Sequence, residues 1–161
     1  MTPRRFGADA LLGGTALLCI AAVGAALATQ YGLGMEPCPW CVLQRVIFLA
    51  IALACVIGLV WRARAGRIVA ALLALLLAAS GMAAALWQHF VAAASASCKL
   101  TLADQIVSGI GLDSLWPDVF SARATCADAA VRLIGVPYEF WSLALFIACA
   151  AAALTVLGRA R

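Results

Sequence analysis

Charge is scarce in this chain. Only 11% of its 161 residues are Asp, Glu, Lys or Arg, while 66% are hydrophobic. A soluble domain carries about a quarter charged and about half apolar residues. A chain this small cannot hide that excess in a water-soluble core, because a small domain keeps much of its surface exposed. The apolar surface has to meet lipid. Histidine is scarcer still. His89 is the only one, which excludes a haem held by two histidines of one chain. No Gly-x-Gly-x-x-Gly and no phosphate loop occurs, so nothing marks a nucleotide site. The net charge of +4 comes without a long basic tract, which argues against nucleic acid. Alternating patterns of the membrane-barrel kind are missing too.

Four apolar runs are present, at about 10–29, 42–61, 68–87 and 140–157. Each is near the ~20 residues that cross a bilayer as a helix. They are rich in Ala and Leu, so helix propensity agrees with hydropathy. The fold class expected is an all-α membrane protein, a four-transmembrane-helix bundle. Arg4 and Arg5 ahead of the first run, with Ala26-Leu27-Ala28 near its end, have features of a cleaved signal. The spanning length of the run favours a retained helix.

Arginine sets the orientation. Arg4 and Arg5, the cluster Arg62, Arg64 and Arg67, and the pair Arg159 and Arg161 all fall on one side of a four-span topology. That side is expected to be cytoplasmic, with both termini inside. The other side holds a short turn at 30–41 and a long segment at 88–139. The long segment is too short to bury a core of its own, so the chain reads as a single domain over 1–161. Within Leu102–Phe120 the pattern suggests a short amphipathic helix on the membrane surface, with Trp116 and Phe120 as interfacial anchors. Gly109, Gly111 and Pro117 interrupt any long helix there. A loop packed on the bundle is the alternative.

The seven cysteines sort by position. Cys19, Cys55 and Cys149 lie inside apolar runs and read as packing residues. Cys38, Cys41, Cys98 and Cys126 all face outward. An oxidising outer compartment would let them form two disulfides. Cys38-Pro39-Trp40-Cys41 is a C-x-x-C pair at the mouth of the second helix, where backbone N–H groups and the helix dipole favour a thiolate at Cys41. Arg45, one turn deeper on the same face, would add to that effect and could hydrogen-bond a ligand oxygen; snorkelling to the interface is its plainer reading. A zinc site is disfavoured, because only one of the two pairs is closely spaced; no metal is expected. Two purely structural disulfides are a stronger alternative, although a C-x-x-C ring constrains the unfolded chain little. With nucleotide, haem and cluster sites gone, elimination leaves a lipid-soluble acceptor, a quinone. His89, at the outer end of the third run, could contact it, tune a thiol, or simply sit at the interface beside Trp87.

Taken together these residues resemble the disulfide bond formation protein B (DsbB) family. Glu36-Pro-Cys-Pro-Trp-Cys-Val-Leu-Gln-Arg45 is similar to that family's first outer loop. Leu-Trp-Gln-His ending at His89, two cysteines in a long second outer loop, and Trp-Pro-Asp-Val-Phe at Trp116–Phe120 extend the likeness over the chain. The resemblance implies a protein-disulfide:quinone oxidoreductase of the bacterial inner membrane. A DsbA-like periplasmic thiol oxidant would attack Cys98 of a Cys98–Cys126 disulfide. Cys126 would then attack Cys38 of a Cys38–Cys41 disulfide, and Cys41 would pass electrons to ubiquinone or menaquinone, oriented by Arg45. Cys98 and Cys126 are accordingly expected on a movable loop. Other readings are a relative of vitamin K epoxide reductase, a small transporter, which would need ionisable groups inside its spans, or a disulfide-held scaffold.

Overall fold

The computed structural model describes residues 3–94 and 101–160; Cys98 lies outside them. Four helices are long and apolar enough to cross a membrane: α1 (Pro3–Leu33), α2 (Pro39–Val60), α3 (Arg64–Trp87) and, after a cap of short elements, α7 (Tyr138–Ala160). The protein is an all-α, multi-pass membrane protein. α1, α3 and α7 outrun their apolar runs because polar flanking residues keep helical geometry up to a true stop signal. In α1 that signal is Gly34, whose φ of +67° is easiest for a residue without a Cβ. At the start of α2, Cys38 is the N-cap: its backbone is extended, its Sγ accepts the Cys41 N–H at 3.3 Å, and Pro39 fills the first helical position.

Without a hydrophobic force between helices in lipid, close packing depends on small residues at the seams. The face of α3 turned inward is Gly66, Ala70, Ala71, Ala74, Ala78, Gly81, Ala84 and Ala85. At Gly81 the backbone lies so near Phe146 of α7 that a Cβ would overlap its ring. Phe146 stacks in turn on Phe48 of α2, with centroids 4.0 Å apart and planes 4° apart. Large residues such as Leu17, Leu53, Leu76 and Leu154 point outward. The helices close a ring in the order α1–α2–α3–α7. At the arginine-rich end Arg67 meets Asp9 at 2.8 Å, which keeps two charges near a membrane boundary paired.

The other end carries the cap. The expected helix over Leu102–Phe120 is three pieces: α4 (Leu102–Gly109), α5 (Leu112–Leu115) and α6 (Pro117–Phe120). Gly111, with φ +71°, and Pro117 divide them. A capping box starts α4: Thr101 Oγ1 accepts the Asp104 N–H and Asp104 accepts the Thr101 N–H. Ala103 and Val107 of α4 are buried. Trp116 is exposed as an anchor should be, but Phe120 is 3% exposed and belongs to the core. Its expected role as an anchor is corrected: the turn at Pro117 points it inward. A two-residue-turn hairpin, β1 (Arg132–Leu133) with β2 (Val136–Pro137), was not legible in the sequence. It turns through Ile134 and Gly135, both at positive φ.

Candidate functional site

The site grows from the start of α2. With Cys38 as cap, Cys41 is the third helical residue, and the two Sγ atoms stand 2.7 Å apart. Cys38 is fully buried. The second outer segment is brought to it by main-chain bonds: the Arg123 and Ala124 N–H groups both donate to Pro37 O, at 2.9 and 3.3 Å. Thr125 and Asp128 then close a turn, with the Asp128 N–H on Thr125 Oγ1. Cys126, inside that turn, is only 7% exposed. Its sulfur accepts hydrogen bonds from the Cys38 thiol and the Trp40 backbone N–H. Cys38, hydrogen-bonded with Cys126 and Cys41 and buried besides, has its pKa pushed up. The Cys38 hydrogen bond chiefly, with the Trp40 N–H, holds Cys126 below the ordinary thiol value of 9.0 against the opposing effect of burial. Cys126 thus faces Cys38 directly. The expectation of a freely movable loop does not describe Cys126, because the Pro37 clamp and the Trp40 N–H pin it.

Beyond Cys41 a cavity of about 240 Å³ opens between α1, α2 and α7. Its outer part is polar, with Cys41, Gln44, Arg45, Gln88 and Glu139; deeper in, Phe48, Leu145 and alanines of α1 line it. Arg45 is 5% exposed. Nη1 donates to Gln30 Oε1 at 2.8 Å and Val119 O at 2.9 Å, and Nη2 reaches Ala26 O at 3.5 Å. It does not snorkel; it ties α1 and α6 to the cavity wall. Gln88 Nε2 donates to Cys41 Sγ at 3.2 Å, and Gln44 Nε2 fixes Gln88 by donating to its Oε1 at 2.7 Å. Neither glutamine stood out in the sequence, because a lone amide carries no spacing signal. Gln88 begins a π-helical turn (Gln88–Ala92) after α3; such turns often mark functional positions. His89 does not line the cavity. Its Nδ1 lies 2.6 Å from Oε1 of Glu139, which does.

A cavity of about 150 Å³ accommodates benzene, so this one has room for a substituted six-membered ring. Polar groups at one end and an apolar floor suit a ring with oxygens and a lipid-soluble tail. Glu139, which lines the cavity, has a buried Oε2 with no hydrogen-bond partner among the described residues, as expected of a wall that meets a ligand. The residues therefore fit a quinone headgroup. The intramembrane Cys19 and Cys149 touch across α1 and α7 at 3.6 Å, both fully buried, and lie apart from this site.

Residues 8–156 match the family profile described as disulfide bond formation protein DsbB. Curated relatives include disulfide bond formation protein B 1 of Pseudomonas savastanoi pv. phaseolicola (strain 1448A / Race 6), 36% identical over 81% of this chain and 78% of the relative. Disulfide bond formation protein B of Pseudomonas syringae pv. tomato is 34% identical over the same shares, 81% and 78%. Disulfide bond formation protein B of Aromatoleum aromaticum is 33% identical over 97% of this chain and 96% of the relative.

Proposed function

The chain belongs to the DsbB family of disulfide bond formation proteins, and from that premise we propose that it reoxidises a DsbA-like periplasmic dithiol and passes the electrons to a membrane quinone. It sits in the bacterial inner membrane as a single domain, termini in the cytoplasm and active cysteines on the periplasmic side. The observation that carries this reading is the series Cys126, Cys38, Cys41, cavity, with each sulfur next to the following one.

The partner's thiolate attacks Cys98 in a Cys98–Cys126 disulfide and releases Cys126 as a thiolate. Cys126 attacks Cys38 in the Cys38–Cys41 disulfide, and Cys41 leaves as the thiolate. Its placement against Cys38, with the Trp40 backbone N–H on its sulfur, suits Cys126 to that role. Gln88 donates to the Cys41 sulfur on which negative charge develops. Arg45 holds the wall in shape and puts a fixed positive charge beside Cys41 and the cavity. A quinone would supply the two-electron acceptor when bound, held by Cys41, Arg45 and Gln88 over the Phe48 floor, with the Glu139 carboxyl on the wall beside it. His89 acts from behind Glu139.

The test is turnover of purified protein with reduced DsbA and a soluble quinone, followed by quinone absorbance. Cys38→Ser, Cys41→Ser, Cys98→Ser and Cys126→Ser should each abolish it. Retained turnover in any one of them would sink the four-cysteine relay.

A further inference from the structure

We infer that Glu139 is the acid that supplies protons to the acceptor in this cavity, and that His89 reloads it from the outer aqueous face. This rests on the quinone reading above and adds the route by which protons reach the site. Glu139 is 4% exposed, and carboxyls are seldom buried without a purpose or a partner. Its Oε1 holds His89 Nδ1 at 2.6 Å, while Oε2 is buried with no hydrogen-bond partner among the described residues. The same residue lines the cavity wall. His89 keeps 31% of its side chain exposed and packs against Phe90 and Phe140, which hold the ring in place. One carboxyl oxygen of this cavity-lining residue is thus without a partner among the described residues, and the other is linked to a partly exposed imidazole at the outer end of its helix. An imidazole can take a proton on one nitrogen and release one from the other.

The other groups around the cavity do not serve. Arg45 of α2 keeps its proton at any working pH. Cys41 is the sulfur being oxidised. Gln44 and Gln88 are amides, and the Tyr138 hydroxyl is engaged with Thr29 Oγ1 at 3.2 Å. Glu36 borders the cavity from an exposed position, and Cys126 faces Cys38. The balance requires a proton route. As the partner dithiol becomes a disulfide it gives up two electrons and two protons. The electrons travel by disulfide exchange to Cys41, and the protons are left in outer water. Reduction of a quinone to a quinol consumes both electrons and two protons. Glu139 gives each proton in turn to a quinone oxygen, and His89 restores it from that same water.

The experiment compares wild type with Glu139→Gln, Glu139→Asp and His89→Gln. Quinone affinity is read first from quenching of tryptophan fluorescence, Trp141 being part of the wall. Glu139→Gln should bind quinone within about twofold of wild type but lose about 10²-fold in kcat, the size of a general-acid contribution. Its residual turnover should fall as pH rises, because water must then supply the proton. Glu139→Asp should restore most of the rate, and His89→Gln should show the same pH trend more weakly. Three results would overturn the inference: unchanged kcat in Glu139→Gln, a pH profile parallel to wild type, or loss of quinone affinity equal to the loss of rate, which would make Glu139 a binding residue. Wild type that neither binds nor reduces quinone would instead remove the underlying reading and this inference with it.

Discussion

Arg45→Ala separates the cavity from the thiol relay. The guanidinium makes two short hydrogen bonds, to Gln30 Oε1 at 2.8 Å and Val119 O at 2.9 Å. Truncation leaves Gln30 Oε1 buried and Val119 O half-buried without this donor, at about 1–3 kcal/mol each at most. The cation that no longer has to be buried offsets part of this, so a net loss of about 2–4 kcal/mol is expected. Detergent-solubilised protein unfolded in denaturant and followed by fluorescence measures it. The functional loss should be uneven. Arg45 borders the cavity, whereas Cys126 is positioned by Pro37 and Trp40. Quinone KM should therefore rise by about tenfold or more, the equivalent of one charged hydrogen bond of about 1.5 kcal/mol, with DsbA KM little changed. Arg45→Lys should fall between, since a single ammonium cannot span acceptors on α1 and α6. Equal rises in both KM values, or full stability in Arg45→Ala, would refute the assignment of Arg45 to the cavity wall.

Two further outcomes are expected. In fully reduced protein, Cys126 should be alkylated with a pH midpoint below 9.0, since its pKa is depressed and its thiolate persists to lower pH than an ordinary thiol's. Cys38→Ala removes the principal donor and should move that midpoint upward; a midpoint that stays put would show that Cys38 is not the cause. Gly81→Ala drives a methyl into the Phe146 ring, whose Cδ1 would lie 2.6 Å away, and should cost about 1–3 kcal/mol, less about 1 kcal/mol of regained helix propensity. Combined with Phe146→Leu, the two changes should couple by at least about 0.5 kcal/mol. Strict additivity in equilibrium unfolding would count against the tight α3–α7 seam.

The four spans were legible because bilayer thickness imposes one length on every apolar run, and the Cys38–Cys41 pair because its spacing is itself the signal. The placement of Arg45 followed from helical periodicity: position i+4 lies one turn below Cys41 whatever surrounds it. What the sequence could not convey is long-range. Gln88 and Gln44 act as a donor chain to Cys41 only because α2 and α3 run side by side there. Glu139 reads as one more acid near a membrane boundary until α7 sets it against His89 and the cavity. The pinning of Cys126 depends on Pro37 O, a main-chain acceptor that no composition or spacing reveals. Phe120 misled for a related reason. An aromatic residue after Trp-Pro suits an interfacial belt, but the direction of a four-residue helix is set by its contacts rather than its pattern.

Burial orders the proposed relay. Cys38 is fully covered, and Cys126 is almost so. A folded partner with its thiolate on a protein surface cannot reach Cys38 directly, because disulfide exchange needs the attacking sulfur in contact with its target. Cys126 already has that contact. In the proposed relay electrons therefore enter the C-x-x-C pair through Cys126, and the partner's point of attack is the other member of the outer pair, Cys98. On the far side, Cys41 borders the cavity while Cys38 does not, so the sulfur released by attack on Cys38 is the one facing the acceptor. Attack at Cys41 instead would release Cys38 away from the cavity and strand the electrons. The same packing that hides Cys38 from solvent thus selects both the order of exchange and the sulfur that faces the membrane acceptor.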